Sequence, residues 1–239
     1  MSIWSSEPPV PVVFLHGFAT STQATWVEPG WFDLVKEGGR RPLGYDLLGH
    51  GEADAPEDIE AYKDLVTPVV EQLPFTPDEG RQVDIVGYSL GARTALDLTL
   101  RHPQMVRRLV LGGVGRNLVA PRDESAEANS RAAADYRFEG LLRTAGPERV
   151  AILEKVGTAQ ASRDDKWFTP EQLATIDQPA LLVIGTEDFA GPPDPLAGLL
   201  PNVTVKVLPG VDHFSLPKQF GFIDAALEFL DCVPSWGGR

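Results

Sequence analysis

A Gly-x-Ser-x-Gly motif spans residues 87–91 and has Ser89 at its centre. The apolar run Val83 to Val86 precedes it and a segment with helical spacing follows it, so the motif predicts a sharp turn between a strand and a helix. A helix N-terminus favours negative charge that develops beside it, and the Leu90 N–H would be one donor to that charge. Together these features predict that Ser89 is a nucleophile.

A serine hydroxyl needs an adjacent base to become a good nucleophile, and the sequence offers four histidines. His102 is predicted at the end of a helix, and His16 and His50 each belong to a glycine-flanked turn. His213 follows the last apolar run, so it would lie beyond the carboxyl end of a strand, at the same edge of a parallel sheet as Ser89. We therefore predict that His213 is the base.

A carboxylate would hold the imidazole in one tautomer and stabilise its protonated form. Asp188 follows the fifth apolar run by a few residues, which places it at the same sheet edge and gives the chain order Ser, Asp, His. Glu187 is a competing acid, and Asp194 is a more distant one. We predict a catalytic triad of Ser89, His213 and Asp188.

Six short runs rich in apolar residues alternate with helix-like stretches, which is typical of a parallel sheet built from βαβ units. The predicted strands are Val10 to Leu15, Pro42 to Tyr45, Val83 to Val86, Leu109 to Leu111, Ala180 to Ile184, and Thr204 to Leu208. A C-terminal helix containing Phe222 and Phe229 is predicted to end at Pro234. The predicted fold class is α/β.

Residues 116–178 separate two predicted strands by far more than a crossover helix requires. We interpret this interval as an insertion of two or three helices that forms a cap on a core made of residues 1–115 and 179–239. Pro147 and Pro170 are predicted helix starts within the cap. The charged run Arg122 to Glu127 would be the hinge if the cap moves.

These motifs together resemble the α/β-hydrolase superfamily, from about Val10 to Phe229. His16-Gly17-Phe18 is similar to the turn whose third residue donates a second oxyanion N–H, which implies that role for Phe18. The segment 46–51, Asp-Leu-Leu-Gly-His-Gly, is similar to one that shapes the pocket floor and is structural. The resemblance implies the α/β-hydrolase fold, a mainly parallel sheet of about six strands flanked by helices, with a small helical cap. The first two strands of the family are expected to be missing or vestigial, because only fifteen residues precede His16.

The composition excludes several classes of partner. The net charge of −13 would repel phosphate backbones and anionic lipid, so neither nucleic acid nor a membrane is an expected partner. A lone cysteine, Cys232, together with an N-terminus that does not read as a signal peptide, favours a cytoplasmic location. The sequence has no dinucleotide, phosphate-loop or metal-ligand spacing, so we expect no cofactor, nucleotide or metal.

The predicted triad and oxyanion donors together indicate a carboxylesterase-like serine hydrolase. It would cleave an ester, or a related acyl bond, of a small apolar substrate through an acyl-enzyme. One alternative is a triad-dependent lyase or C–C hydrolase of the same superfamily. Arg93 follows the nucleophile as in the menaquinone-pathway lyases, and it would either bind a substrate carboxylate or form a surface ion pair. The other alternative is a non-catalytic ligand-binding member of the fold; in every case the partner is a small molecule and the protein a monomer or homodimer. The candidate apolar walls of the pocket are Phe18, Tyr88, Phe138, Trp167, Phe168 and Phe214.

Overall fold

The computed structural model describes residues 9–120, 137–140, 142 and 146–234. Each predicted apolar run forms a strand: β1 (Val12–Leu15), β2 (Pro42–Tyr45), β3 (Val83–Tyr88), β4 (Val106–Gly112), β5 (Ala180–Gly185) and β6 (Val203–Leu208). They form one sheet in the order β2-β1-β3-β4-β5-β6, and every neighbouring pair is parallel. The carboxyl ends of all six strands therefore lie at one edge, which is called the carboxyl edge below.

Helices cover both faces of this sheet. They are α1 (Trp31–Glu37), α2 (Val66–Gln72), α3 (Leu90–Arg101), α4 (Pro147–Ala161), α5 (Pro170–Leu173), α6 (Asp194–Ala197) and α7 (Phe220–Phe229), and residues 137–140 are also helical. Within the described ranges, none of these helices is long and apolar enough to cross a membrane. The α/β fold with a six-stranded parallel sheet is confirmed.

Alternate residues along the inner strands β1, β3, β4 and β5 enter two different cores. In β1, Val13 and Leu15 pack with α2 and α3, whereas Val12 and Phe14 pack with α1 and α7. All four side chains are at most 1% exposed. Burial of both faces explains why these inner strands appear in the sequence as continuous apolar runs rather than as alternating ones.

The C-terminal helix ends earlier than the sequence predicted, at Phe229 rather than at Pro234. Asp231 adopts a left-handed conformation with φ 52°, and the Cys232 N–H donates to the Leu227 carbonyl. These local bonds satisfy the last carbonyl groups of α7, so the helix ends without the proline.

The interval 116–178 contains helices that begin at both of the predicted prolines, where the missing N–H is not needed. α4 packs on the core through a cluster of Val156 and Ala159 with Tyr62. The proposed hinge, Arg122 to Glu127, lies outside the described residues. The boundaries of the cap at residues 116 and 178 stay a prediction.

Candidate active site

Ser89 occupies the turn between β3 and α3, as the motif predicts. Its φ of 53° and ψ of −113° are strained for a residue with a side chain. A Cβ on Gly87 would lie 2.6 Å from the Gly91 carbonyl oxygen, and a Cβ on Gly91 would overlap the Leu15 carbonyl oxygen. The two glycines therefore let α3 approach β1 and β3, and this close packing holds Ser89 at the carboxyl edge.

Ser89, His213 and Asp188 form one chain of hydrogen bonds. His213 Nε2 lies 2.9 Å from Ser89 Oγ, and His213 Nδ1 lies 2.8 and 3.0 Å from the two carboxylate oxygens of Asp188. Because an ionised carboxylate only accepts, Nδ1 carries the proton and Nε2 is left to accept from the serine hydroxyl. His213 and Asp188 are 3% and 7% exposed, so water competes little for these bonds.

The three residues predicted as a triad are thus brought together, and the competing candidates lie elsewhere. Glu187 and Asp194 are exposed to solvent. His102 follows the last residue of α3, as the sequence predicts. The Asp188 carboxylate also accepts the Ala190 N–H at 2.8 Å, which fixes its orientation toward His213.

His16 orients the peptide that carries the second predicted oxyanion donor. The Leu47 N–H donates to His16 Nε2 at 3.0 Å, so the proton lies on Nδ1, which donates to the Gly17 carbonyl at 2.7 Å. The Phe18 N–H belongs to the same planar trans peptide and therefore points away from His16. Within the described part of the chain, neither this N–H nor that of Leu90 donates to a protein group.

Asp46 and His50 support this turn from below. The Asp46 carboxylate accepts the N–H groups of Thr22 and Glu52 at 2.7 and 2.8 Å. Burial opposes ionisation of Asp46, but these hydrogen bonds outweigh it and lower its pKa. Burial, with repulsion from His16, lowers the pKa of His50 to about 4. The contacts of Asp46 tie this segment to the loops at Thr22 and Glu52, and its structural role stays what the resemblance implies.

A cavity of about 230 Å³ opens beside Ser89 and His213. Phe18, Phe138 and Phe214 line it with their rings. Tyr88 also lines it, and its hydroxyl donates to the His213 carbonyl at 2.8 Å. Burial, together with the nearby Asp188 charge, raises the pKa of Tyr88 well above its usual value, so the hydroxyl stays a neutral donor.

Two aromatic residues predicted as walls lie away from this cavity. Trp167 is 39% exposed, and the Lys166 ammonium lies 4.7 Å from its ring centre. Phe168 is 3% exposed and packs in the core on the α2 and α3 side of the sheet. The prediction that Trp167 and Phe168 line the pocket was wrong, because their segment packs on α3 rather than over Ser89.

Arg93 is neither at the surface nor open to a substrate. It is 8% exposed and donates to the carbonyl groups of Lys166 and, at 2.7 Å, Asp165. Its Nε lies 3.8 Å from the Asp97 carboxylate. Arg93 therefore joins α3 to the segment that follows α4. The ion pair expected from the sequence is present but buried, and the role of binding a substrate carboxylate is corrected.

Other residues of the site escaped the sequence analysis. The Phe189 ring packs on the His213 ring with 4.1 Å between centroids, and its position directly after Asp188 was a usable signal. The cavity also has a polar side, to which no motif points. This side is formed by Thr20, Thr25, Glu28 and Lys218.

A parallel sheet with a serine on its strand-to-helix turn, bonded to a buried His–Asp pair, defines the class of α/β-hydrolases. The model of the Alpha/beta hydrolase family matches residues 12–225, and the chain belongs to this family. Within the described residues, no three His, Cys, Asp or Glu side chains are grouped so that they could hold a metal ion.

The proteins to which this chain is similar are named for different reactions. The chain is similar to a putative 2-succinyl-6-hydroxy-2,4-cyclohexadiene-1-carboxylate synthase of Bacillus subtilis (strain 168), with 28% identity over 93% of this chain and 90% of that protein. It is 25% identical to an sn-1-specific diacylglycerol lipase of Mus musculus, over 92% of this chain and 80% of the lipase. A solved N-acyl homoserine lactone degrading enzyme has a TM-score of 0.66 and 25% identity, with 92% of both chains covered. The predictions of the family and of an enzyme of this class are confirmed.

Proposed function

We propose that the protein is a serine hydrolase that cleaves a carboxylic ester of a small apolar substrate through an acyl-enzyme intermediate. The observation that carries the proposal is the continuous hydrogen-bonded chain from Ser89 Oγ through His213 to the Asp188 carboxylate, at the wall of an aromatic cavity. A serine so placed has its general base within hydrogen-bond reach, and the base has its own orienting acid.

In the proposed reaction, Ser89 Oγ attacks the ester carbonyl while His213 Nε2 accepts the hydroxyl proton. Asp188 keeps the proton of the neutral ring on Nδ1 and stabilises the imidazolium that forms. The N–H groups of Phe18 and Leu90 would bind the oxyanion of the tetrahedral intermediate. His213 then protonates the leaving alkoxide, and water releases the acyl group by the same steps. This chemistry requires no cofactor.

The volume of the cavity supports the proposal that the substrate is small. Its volume of about 230 Å³ is below the range of roughly 300 to 1,000 Å³ that is typical of pockets for drug-sized ligands. The rings of Phe18, Phe138 and Phe214 would contact the apolar part of the substrate. Tyr88 would contribute its ring beside the nucleophile.

Hydrolysis of p-nitrophenyl esters from acetate to octanoate tests the proposal. Ser89→Ala should lower kcat by about 10⁶-fold, because the triad acts as a unit. Ser162→Ala is a matched control, since the Ser162 hydroxyl donates to the Ala159 carbonyl at the end of α4, outside the site. A fluorophosphonate probe should label the wild-type protein on the peptide that contains Ser89.

Full activity in Ser89→Ala would overturn the proposal. Labelling of Ser89 without turnover of any ester would leave a reactive serine but would reject an esterase. Saturable binding of the esters without labelling or turnover would favour the non-catalytic alternative.

A second candidate is a lyase or C–C hydrolase that uses the same triad. The similarity to the Bacillus subtilis synthase, which extends over 93% of the chain, favours it. The engagement of Arg93 by two backbone carbonyls counts against it, because this arginine is not free to bind a substrate carboxylate. Turnover of an anionic polyfunctional substrate by a protein that ignores simple esters would select this candidate.

A further inference from the structure

A cap residue is bonded to the loop that carries the triad histidine. Arg137 donates to the Asp212 carboxylate at 2.5 Å, and its guanidinium carbon lies 5.2 Å from the centre of the Phe214 ring. Asp212 and Phe214 are the residues on either side of His213. The other Asp212 oxygen accepts the Ser215 N–H at 2.8 Å, so the carboxylate is itself fixed. One cap side chain thus contacts both neighbours of the histidine.

The next residue of the cap, Phe138, projects into the cavity. Its ring lies 4.9 Å from that of Phe214, 6.0 Å from Phe189 and 6.1 Å from Phe18, each in an edge-to-face arrangement. Edge-to-face pairs are attractive but individually weak. Because Phe138 directly follows Arg137 on one helical turn, fixing Arg137 also fixes the depth of the Phe138 ring.

We propose that Arg137 is a positioning residue that anchors Phe138 through Asp212 and thereby sets the size of substrate that the cavity accepts. The role as a size filter rests on the proposed function, whereas the anchoring does not. Both partners of the ion pair are partly exposed, at 47% and 37%, so the anchor is weak and sensitive to salt. An anchor of this kind acts on binding of the apolar group and leaves the Ser89–His213–Asp188 bonds intact.

The anchoring is tested without catalysis by ¹⁹F NMR of 4-fluorophenylalanine placed at position 138. In the wild type the resonance should differ from that of a solvent-exposed ring. Arg137→Gln and Asp212→Asn should each move it toward the exposed value, and about 0.5 M NaCl should do the same in the wild type alone. An unmoved resonance in both variants would overturn the proposal.

The size filter is tested with the ester series. Arg137→Gln should raise KM for the best short ester by about fivefold, shift the preferred acyl chain to a greater length, and change kcat by less than about twofold. The double variant Arg137→Gln, Asp212→Asn should show no further rise, because the two changes remove one interaction. Arg137→Lys should restore KM in part, since it keeps the charge but loses the planar contact with Phe214.

Lys155→Gln is the matched control, because Lys155 is another cap cation that reaches the core, where it donates to the Glu57 carbonyl at 3.2 Å. It should leave KM, chain-length preference and the ¹⁹F resonance unchanged. An equal effect of Lys155→Gln would show a general response to charge and would reject the specific anchor. If no ester is hydrolysed by the wild type, the proposed function fails, while the ¹⁹F resonances still decide whether Arg137 holds Phe138.

Discussion

The two walls of the cavity are held in place by different kinds of interaction. The wall that carries the triad is formed at the carboxyl edge, where His213 and Asp188 are buried and joined by hydrogen bonds of 2.8 to 3.0 Å. The wall formed by the cap carries Phe138, whose anchor is an ion pair between side chains that are 47% and 37% exposed. The first wall therefore depends on shielded polar contacts and close backbone packing, and the second on weak contacts open to solvent.

Under the proposed function, this difference separates the residues that carry out the reaction from those that select the substrate. Buried hydrogen bonds and close backbone contacts permit little adjustment, so a change there should cost reaction rate or folding. Exposed ion pairs and ring contacts contribute little stability each, so a change in the cap should mainly alter which substrate fits.

After the loss of the nucleophile itself, the largest expected effect is that of Asp188→Asn. An amide can donate to His213 Nδ1 and so favour the tautomer that leaves Nε2 protonated, which cannot accept the serine proton. We expect kcat to fall by about 10⁴-fold, as measured with the best p-nitrophenyl ester. Glu187→Gln, an exposed neighbour, should keep wild-type kcat; equal losses in both variants would contradict the assignment of Asp188.

Gly91→Ala should be the most destabilising small change at the nucleophile turn. Its Cβ would overlap backbone of β1 at Leu15, which cannot move aside as a flexible side chain could. We expect a loss of ~3 kcal/mol in the free energy of unfolding, measured by urea denaturation.

Gly157→Ala is the counterpart in the cap helix α4. Its Cβ would lie 3.7 Å from the Phe18 ring, an ordinary contact, and alanine favours helix. The free energy of unfolding of this variant should rise by about 0.5 to 1 kcal/mol. Similar losses of unfolding free energy in Gly91→Ala and Gly157→Ala would contradict the distinction between the two walls.

The histidine below the Phe18 turn should make stability depend on pH. His50 is 1% exposed and its pKa is lowered to about 4, whereas the unfolded chain titrates near 6.5. The unfolded state therefore binds more protons between these values, and stability falls as the pH drops from 6.5 toward 4. The expected loss from pH 7 to pH 5 through His50 is about 2 kcal/mol. Urea denaturation at pH 7 and pH 5 measures the fall in the free energy of unfolding between these values. This fall should be smaller in His50→Asn than in the wild type by about 2 kcal/mol. An unchanged drop would mean that His50 is protonated in the folded protein.

The triad wall was largely predictable from the sequence, because each of its residues follows an apolar run that forms a strand. Parallel strands bring residues distant in the chain to one edge, so Ser89, Asp188 and His213 could be joined by topology alone. Gly-x-Ser-x-Gly added a local backbone requirement that few other sequences meet.

The cap wall was not predictable in the same way. Aromatic residues in a helical insertion pack equally well toward the core or toward a cavity, and no periodicity distinguishes Phe138 from Trp167. The buried position of Arg93 was also hidden, because its hydrogen-bond partners are the backbone carbonyls of Asp165 and Lys166, which carry no sequence signal. The end of α7 depended on left-handed Asp231, a conformation that glycine more often supplies.

The smallest effects are expected from a pair of aromatic substitutions in the cap. Phe138→Ala should lower kcat/KM for short esters by about fivefold and improve the relative use of longer ones, because the cavity gains the volume of a ring. Trp167→Ala should change kcat/KM by no more than about twofold for any chain length, since its ring contacts Lys166 and solvent rather than the cavity. The ratio of kcat/KM for the butyrate ester to that for the octanoate ester measures the chain-length preference of each variant. A chain-length shift in Trp167→Ala as large as that in Phe138→Ala would contradict this assignment. It would show that Trp167 also contacts the bound substrate.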